Sequence, residues 1–193
     1  MRIAIHVFED AEELDWVGPW EVLSYWAGAA ERDVEVVTVA DTSGPVRCAK
    51  GLRVLPDRTW SELDHLDVLV YPGGRGTRRH LGDQTIRARL RQLYEGGTLL
   101  VSVCTGSLVF ADAGLLDGRP ATTHWGALDR LQELGQDIDV RPRDRYVDDG
   151  DIITAAGVSA GIDAALHLVA RLGSVAEARD VRRGIQYDPA PPV

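Results

Sequence analysis

The stretch Leu99–Ser107 constrains the fold more than any other part of the chain. A strand-like apolar run ends at Cys104, and a helix-like apolar run begins at Leu108. A buried strand that becomes a helix within three residues places the corner residue at the carboxyl edge of a sheet. The tight backbone there needs small neighbours, which Ser102 and Gly106 supply. The pattern predicts a nucleophile elbow with Cys104 at its corner.

Two interpretations of Cys104 remain open at this stage. In the first, the amino end of the following helix lowers the pKa of the thiol and supplies a reactive thiolate. In the second, Cys104 is an inert buried cysteine at the end of a strand, which is a common environment for this residue.

Strand-like and helix-like segments alternate along the whole chain. Such alternation predicts an α/β fold with a mostly parallel central sheet and helices on both faces, in a single domain over residues 1–193. The predicted main strands are Arg2–Phe8, Val34–Val39, Asp67–Tyr71, Leu99–Val103 and Ile152–Thr154, with small hairpins around Lys50-Gly51 and Asp149-Gly150. The predicted helices include one with Pro19 in its first turn, one capped by Asp83, one through Ile162–Leu172, and one over Val175–Arg183 before the tail Tyr187–Pro192.

Composition excludes several function classes. The net charge is −9, with acidic and basic residues interspersed, so no basic stripe is available for nucleic acid. No apolar run is long enough to cross a bilayer, and the first residues resemble a strand rather than a signal peptide. Cys48 and Cys104 are far apart without metal-ligand spacing, so we expect a cytoplasmic protein with free thiols, although the two could pair.

Three chain breaks should meet at the carboxyl edge of the sheet, where ligand sites of such folds lie. Asp15 is either a helix cap or a carboxyl group whose pKa is raised by apolar walls. Gly73 and Gly74 form either a tight turn or a pair of amides facing an anion beside Cys104. Thr105 offers an amide for the same anion and a hydroxyl for water or substrate, and its alternative role is helix capping.

Aromatic side chains could line such a site. Trp16, Trp20 and Trp125 are candidate walls for an apolar substrate group, and core packing is the alternative for each. His124 is the one histidine in a segment that could reach the site edge, whereas His80 lies in polar sequence that indicates exposure. No cluster of His, Cys and Asp has metal-ligand spacing, so no metal is expected.

Several of these segments, in this order, resemble the ThiJ/PfpI superfamily over nearly the whole chain. The segments are Arg2–Phe8, Asp15–Pro19, Tyr71–Gly74, Val101–Gly106, Ala113–Gly118, Thr122–Trp125 and Ala156–Leu168. The resemblance implies a flavodoxin-like three-layer sandwich related to class I glutamine amidotransferases, and a homodimer. Within the superfamily the chain is most similar to the isonitrile hydratase branch, which implies a cofactor-independent lyase acting on a small molecule. In that branch the elbow cysteine, here Cys104, is paired with an early aspartate, here Asp15, and a threonine, here Thr105.

The sequence differs from other branches of the superfamily at several positions, and these differences favour the isonitrile hydratase branch. Thr105 stands where protease-like members carry histidine, and Asp15 where glyoxalase-like members carry glutamate, although Glu12 and Glu13 lie nearby. AraC-type regulators share the Cys-Thr-Gly piece but append a DNA-binding domain, which we do not expect in a sequence ending at Val193. A redox-sensing module and a glyoxalase or deglycase remain the alternatives to isonitrile hydration.

Overall fold

A seven-stranded sheet runs through the molecule, in the order β10-β11-β7-β6-β1-β2-β5. The computed structural model describes residues 1–189, and positions 190–193 of the predicted tail lie outside the described residues. The strands are β1 (Arg2–His6), β2 (Glu35–Ala40), β3 (Val46–Arg47), β4 (Arg53–Val54), β5 (Arg58–Thr59), β6 (Val68–Tyr71), β7 (Leu99–Val103), β8 (Pro120–Ala121), β9 (Asp139–Val140), β10 (Tyr146–Asp148) and β11 (Ile152–Ala155). All neighbours in the large sheet are parallel except β10, which pairs antiparallel with β11.

Helices in two groups enclose this sheet. They are α1 (Glu13–Ala29), α2 (Thr77–His80), α3 (Gln84–Glu95), α4 (Gly106–Asp112), α5 (Leu128–Leu134), α6 (Ala160–Leu172) and α7 (Val175–Gly184). Helices α1, α6 and α7 pack together, whereas α2, α3 and α5 pack around α4. The predicted flavodoxin-like α/β sandwich is confirmed.

The central strands follow directly from apolar sequence runs. Every residue of β6, β7 and β11 is buried, as expected for parallel strands covered on both faces. The predicted cap is also present, since the Asp83 carboxylate accepts hydrogen bonds from the amides of Thr85 and Ile86. Every helix in the described part of the chain is too short or too polar to span a bilayer.

Three local predictions about the first strand and the first helix were wrong. β1 ends at His6 rather than Phe8, and α1 begins at Glu13, which makes Asp15 a residue of its first turn and not a residue before it. Pro19 is the seventh residue of α1 and lies beyond the first turn. The helix therefore carries the Asp15 side chain into the interior instead of using it as a cap.

Candidate active site

Cys104 occupies the corner between β7 and α4. Its φ is +57°, in the left-handed region that non-glycine residues rarely adopt. Hydrogen bonds hold both sides of this strained residue: its amide donates to the carbonyls of Ala155 and Ala156, and its carbonyl accepts from the hydroxyls of Ser107 (3.1 Å) and Thr123 (2.9 Å). Strain that is held by several neighbours is typical of functional positions.

The elbow requires glycine at position 106. A Cβ atom there would lie 2.3 Å from the carbonyl oxygen of Tyr71 and 3.0 Å from that of Pro72. Those backbone atoms belong to the last residue of β6 and the first residue after it, so the end of this strand and the elbow are in direct contact. The prediction that a small residue follows the cysteine therefore has a specific steric cause.

Two backbone amides face the Cys104 sulfur, one from Thr105 and one from Val158. The Thr105 amide is the one that the elbow pattern predicts. Val158 was missed by sequence reasoning, because it lies in the turn after β11 and has no distinctive motif. Its φ of +43° is an outlier for a β-branched residue, which marks the turn as strained.

The Asp15 carboxyl group lies beside this sulfur. Its side chain is fully buried, and Oδ2 accepts a hydrogen bond of 2.8 Å from the Gly73 amide. Oδ1 is also buried, and no nitrogen or oxygen atom of residues 1–189 hydrogen-bonds to it. The Cys104 thiol is the hydrogen-bonding group that remains next to the carboxylate. A carboxyl oxygen is thus free to exchange a proton with the thiol or with a molecule bound there.

Burial is the largest influence on the pKa values of Asp15 and Cys104. It raises the pKa of Asp15 to about 7, and the hydrogen bonds from Gly73 and Cys104 oppose the increase. Burial, and then the charge of Asp15, raise the pKa of Cys104 to about 12, against the opposing effect of the Thr105 and Val158 amides. The amide at the start of α4 does lower the thiol pKa as predicted, but burial and the charge of Asp15 outweigh it, so the net shift is upward and no reactive thiolate is preformed.

The turn after β6 brings Thr105 and Asp15 to one point. A Cβ atom on Gly73 would lie 2.7 Å from Thr105 Oγ1 and 2.8 Å from Asp15 Oδ2, so the Thr105 hydroxyl and the Asp15 carboxyl group both lie against this glycine. The Gly74 amide donates to Thr105 Oγ1 at 3.0 Å. The predicted role of Gly73 and Gly74 as anion donors does not match these hydrogen bonds, because both amides hold side chains of the site instead.

The three tryptophans lie in different environments. Trp16 is buried in the core, Trp20 is partly exposed, and Trp125 is 79% exposed. Trp125 lines a cleft of about 240 Å³ together with residues that include His124 and Val158. The cleft therefore borders the turn whose amide faces the Cys104 sulfur, and Trp125 is placed at its wall rather than against the thiol.

No histidine among residues 1–189 hydrogen-bonds to Cys104 or Asp15. The ring of His124 accepts from the Gly126 amide at 3.1 Å. His80 is buried, not exposed as predicted, and lies 2.6 Å from the hydroxyl of Tyr71. The two cysteines are unpaired, and no group of three potential metal ligands occurs within the described ranges.

Comparisons with known proteins match this architecture. The sequence profile of the DJ-1/PfpI family matches residues 1–171. The chain is 38% identical over 192 residues to an isonitrile hydratase of Pseudomonas putida, covering all of this chain and 81% of that protein. It is 27% identical to the glutathione-independent glyoxalase DJR-1.2 of Caenorhabditis elegans, covering 85% and 84% of the two chains. The crystal structure of a ThiJ/PfpI family protein from Pseudomonas syringae superposes with a TM-score of 0.88 at 33% identity, covering all of this chain and 77% of that one.

Proposed function

The chain belongs to the DJ-1/PfpI family, and we propose that it hydrates isonitriles to N-substituted formamides through a covalent adduct on Cys104. The observation that carries this proposal is the buried Asp15 carboxyl group beside the elbow thiol. Burial raises its pKa to about 7, so it can both give and take a proton near neutral pH. The similarity to an isonitrile hydratase over the whole chain supports the same chemistry.

The first step adds the thiol across the terminal carbon of the isonitrile R–N≡C. The Cys104 proton passes to the Asp15 carboxylate and from there to the carbon, while the sulfur forms a bond to the same carbon. The product is a thioimidate, R–N=CH–S, and Asp15 is again charged. Because the thiol has a high pKa, this concerted proton transfer replaces a preformed thiolate.

The second step adds water to the thioimidate carbon. Asp15 accepts one proton of the water and passes it to the nitrogen, which gives R–NH–CH(OH)–S. The hydroxyl proton then passes through Asp15 to the sulfur as the carbon–sulfur bond breaks, so that formamide is released and the thiol is restored. The amides of Thr105 and Val158 stabilise negative charge on the departing sulfur, and the Thr105 hydroxyl positions the water.

The test is formamide production from a simple alkyl isonitrile by the purified protein. Cys104→Ser should abolish turnover, and Asp15→Asn should reduce kcat by about 10³-fold, the range of general acid–base catalysis. Cys48→Ser is the matched control, because Cys48 is also buried and unpaired but is not part of the site. If the wild-type protein leaves isonitriles unchanged, or if Cys104→Ser retains turnover, the proposal is wrong.

A second candidate is glyoxalase-type conversion of an α-oxoaldehyde, favoured by the similarity to the nematode glyoxalase. Lactate production from methylglyoxal, measured with the same variants, distinguishes the glyoxalase activity from isonitrile hydration. Turnover of methylglyoxal without turnover of isonitriles would favour this candidate. If mild peroxide oxidises Cys104 and the protein turns over neither isonitriles nor methylglyoxal, a redox sensor is favoured instead.

A further inference from the structure

Thr77, the first residue of α2, lies behind the Thr105 hydroxyl. Its side chain is fully buried, and no part of the reaction described above uses it. Its Oγ1 lies 2.8 Å from the Gly74 carbonyl oxygen and 3.2 Å from Thr105 Oγ1. The same carbonyl accepts a hydrogen bond of 2.8 Å from Arg78 Nη1. Two short donors thus converge on one backbone oxygen next to the site.

The positions of the protons in this network follow from the distances. A carbonyl oxygen has two lone pairs, and the two nearest donors to this one are the Thr77 hydroxyl and Arg78 Nη1, both at 2.8 Å, with the Thr77 amide farther away at 3.3 Å. Thr105 Oγ1 is 3.3 Å from that oxygen and 3.2 Å from Thr77 Oγ1, beyond the usual O–H···O range of about 2.5–3.0 Å. Thr105 Oγ1 already accepts from the Gly74 amide. Within the network the Thr105 proton therefore has only long contacts, to the Gly74 oxygen at 3.3 Å and to Thr77 Oγ1 at 3.2 Å.

We propose that Thr77 is a positioning residue, whose hydroxyl occupies the Gly74 carbonyl and so leaves the Thr105 proton for a molecule bound beside Cys104. Thr105 Oγ1 and Asp15 Oδ2 both lie against Gly73, so the Thr105 hydroxyl is on the side of the carboxyl group that is paired with the Cys104 thiol, and a molecule bound there would supply the acceptor. The identity of that acceptor as the attacking water or the isonitrile rests on the proposed function. The direction in which the Thr105 hydroxyl points does not depend on the proposed function.

Thr77→Val tests this role because it keeps the shape of the side chain and removes the donor. The Thr105 hydroxyl should then turn to the Gly74 carbonyl, and kcat for isonitrile hydration should fall about tenfold with little change in KM. Thr77→Ser restores the donor and should restore kcat. Thr98→Val is the matched control: Thr98 is also buried and donates 2.8 Å to a carbonyl, that of Leu66, at the opposite end of β7. It should leave kcat unchanged.

A double-mutant cycle separates positioning from a general structural effect. In a Thr105→Val background, Thr77→Val should cause no further loss of kcat, because the hydroxyl that it orients is absent. Equal losses in both backgrounds, or failure of Thr77→Ser to restore kcat, would overturn the proposal.

A crystal structure of Thr77→Val gives a readout that does not depend on turnover. The distance from Thr105 Oγ1 to the Gly74 oxygen should shorten from 3.3 Å to about 2.8 Å, a normal hydroxyl–carbonyl hydrogen bond. An unchanged distance would refute the positioning role. If the wild-type protein does not hydrate isonitriles but this distance shortens, the proposed function fails and the role of Thr77 stands.

Discussion

Two clusters of buried ionisable groups lie near the carboxyl edge of the sheet, and they differ in how they are stabilised. Asp15 accepts a hydrogen bond from the Gly73 amide, and the amides of Thr105 and Val158 face the Cys104 sulfur. His6 packs instead against the rings of Trp60, Tyr71 and other aromatic residues, and neither of its nitrogens has a partner among the described residues.

Burial acts in opposite directions on the two clusters. It raises the pKa of Asp15 and Cys104, which favours their protonated forms, and lowers the pKa of His6 and His80, which favours their neutral forms. The free energy of unfolding should therefore fall toward high pH because of Asp15 and toward low pH because of the histidines. Burial alone does not mark a catalytic pair, because the second cluster also contains a buried hydrogen-bonded pair, Tyr71 and His80. The first cluster differs in pairing a thiol with a carboxyl group whose pKa is about 7.

The largest expected effect on stability comes from Asp15→Asn. In the unfolded chain this carboxyl titrates near 3.8, whereas its pKa is about 7 in the folded protein. Between these values the folded state binds more protons, so the free energy of unfolding of the wild type falls as the pH rises. The variant lacks this dependence and should be more stable by up to about 4 kcal/mol at pH 8. Urea unfolding at pH 5 and pH 8 measures the difference.

The control for this experiment is Asp33→Asn, at an exposed position. It should leave the pH dependence of stability as in the wild type. Equal unfolding free energies for wild type and Asp15→Asn at pH 8 would contradict the claim that the charged Asp15 carboxylate destabilises the folded protein.

Gly73→Ala should have the next largest effect. The new methyl group would lie 2.5 Å from the Thr105 amide nitrogen and 2.8 Å from Asp15 Oδ2, so the turn must shift. We expect a loss of about 1–3 kcal/mol of stability, together with loss of turnover. Gly28→Ala, in helix α1 where nothing lies within 4 Å, should instead stabilise by about 1 kcal/mol. Thermal unfolding measures the stability of both variants, and the formamide assay measures their turnover. Full turnover by Gly73→Ala would contradict the tight packing around Gly73.

His6→Leu tests the second cluster and should have the smallest effect at neutral pH. Below about pH 6.5 the unfolded chain takes up protons that buried His6 and His80 resist, so stability falls by up to about 1.4 kcal/mol per pH unit for each. His80, Tyr71 and Arg89 are the ionisable groups that face or lie near His6. The variant should flatten the acid side of the stability profile without changing isonitrile turnover. A slope as steep as that of the wild type would mean that His6 does not contribute.

Much of the framework was predictable because it depends on local patterns. The apolar run before Cys104 and the glycine after it indicate a strand and a tight corner, and both are present. Asp83 combines a capping residue with a following apolar stripe, and its side chain does cap α3. In each case, the residues that determine the structure are neighbours in sequence.

The rest depends on contacts between distant segments. Asp15 matches the local pattern of a cap, and only the approach of Gly73 and Cys104 shows that it points inward. His80 follows two arginines, yet Tyr71 from another segment covers it. Val158 is identified by its φ and Thr77 by its contacts, and neither property can be read from residue type.

The central claim is that the Asp15 carboxyl and the Cys104 thiol interact in one buried space. The most direct test is the pH dependence of Cys104 alkylation, followed by mass spectrometry in the wild type and in Asp15→Asn. The pKa of the wild-type thiol should be near 12, and it should fall in the variant because a neighbouring negative charge has been removed. The variant would then be alkylated faster at a given pH, although its turnover is strongly reduced. An alkylation profile that is identical in the two proteins would contradict the claim.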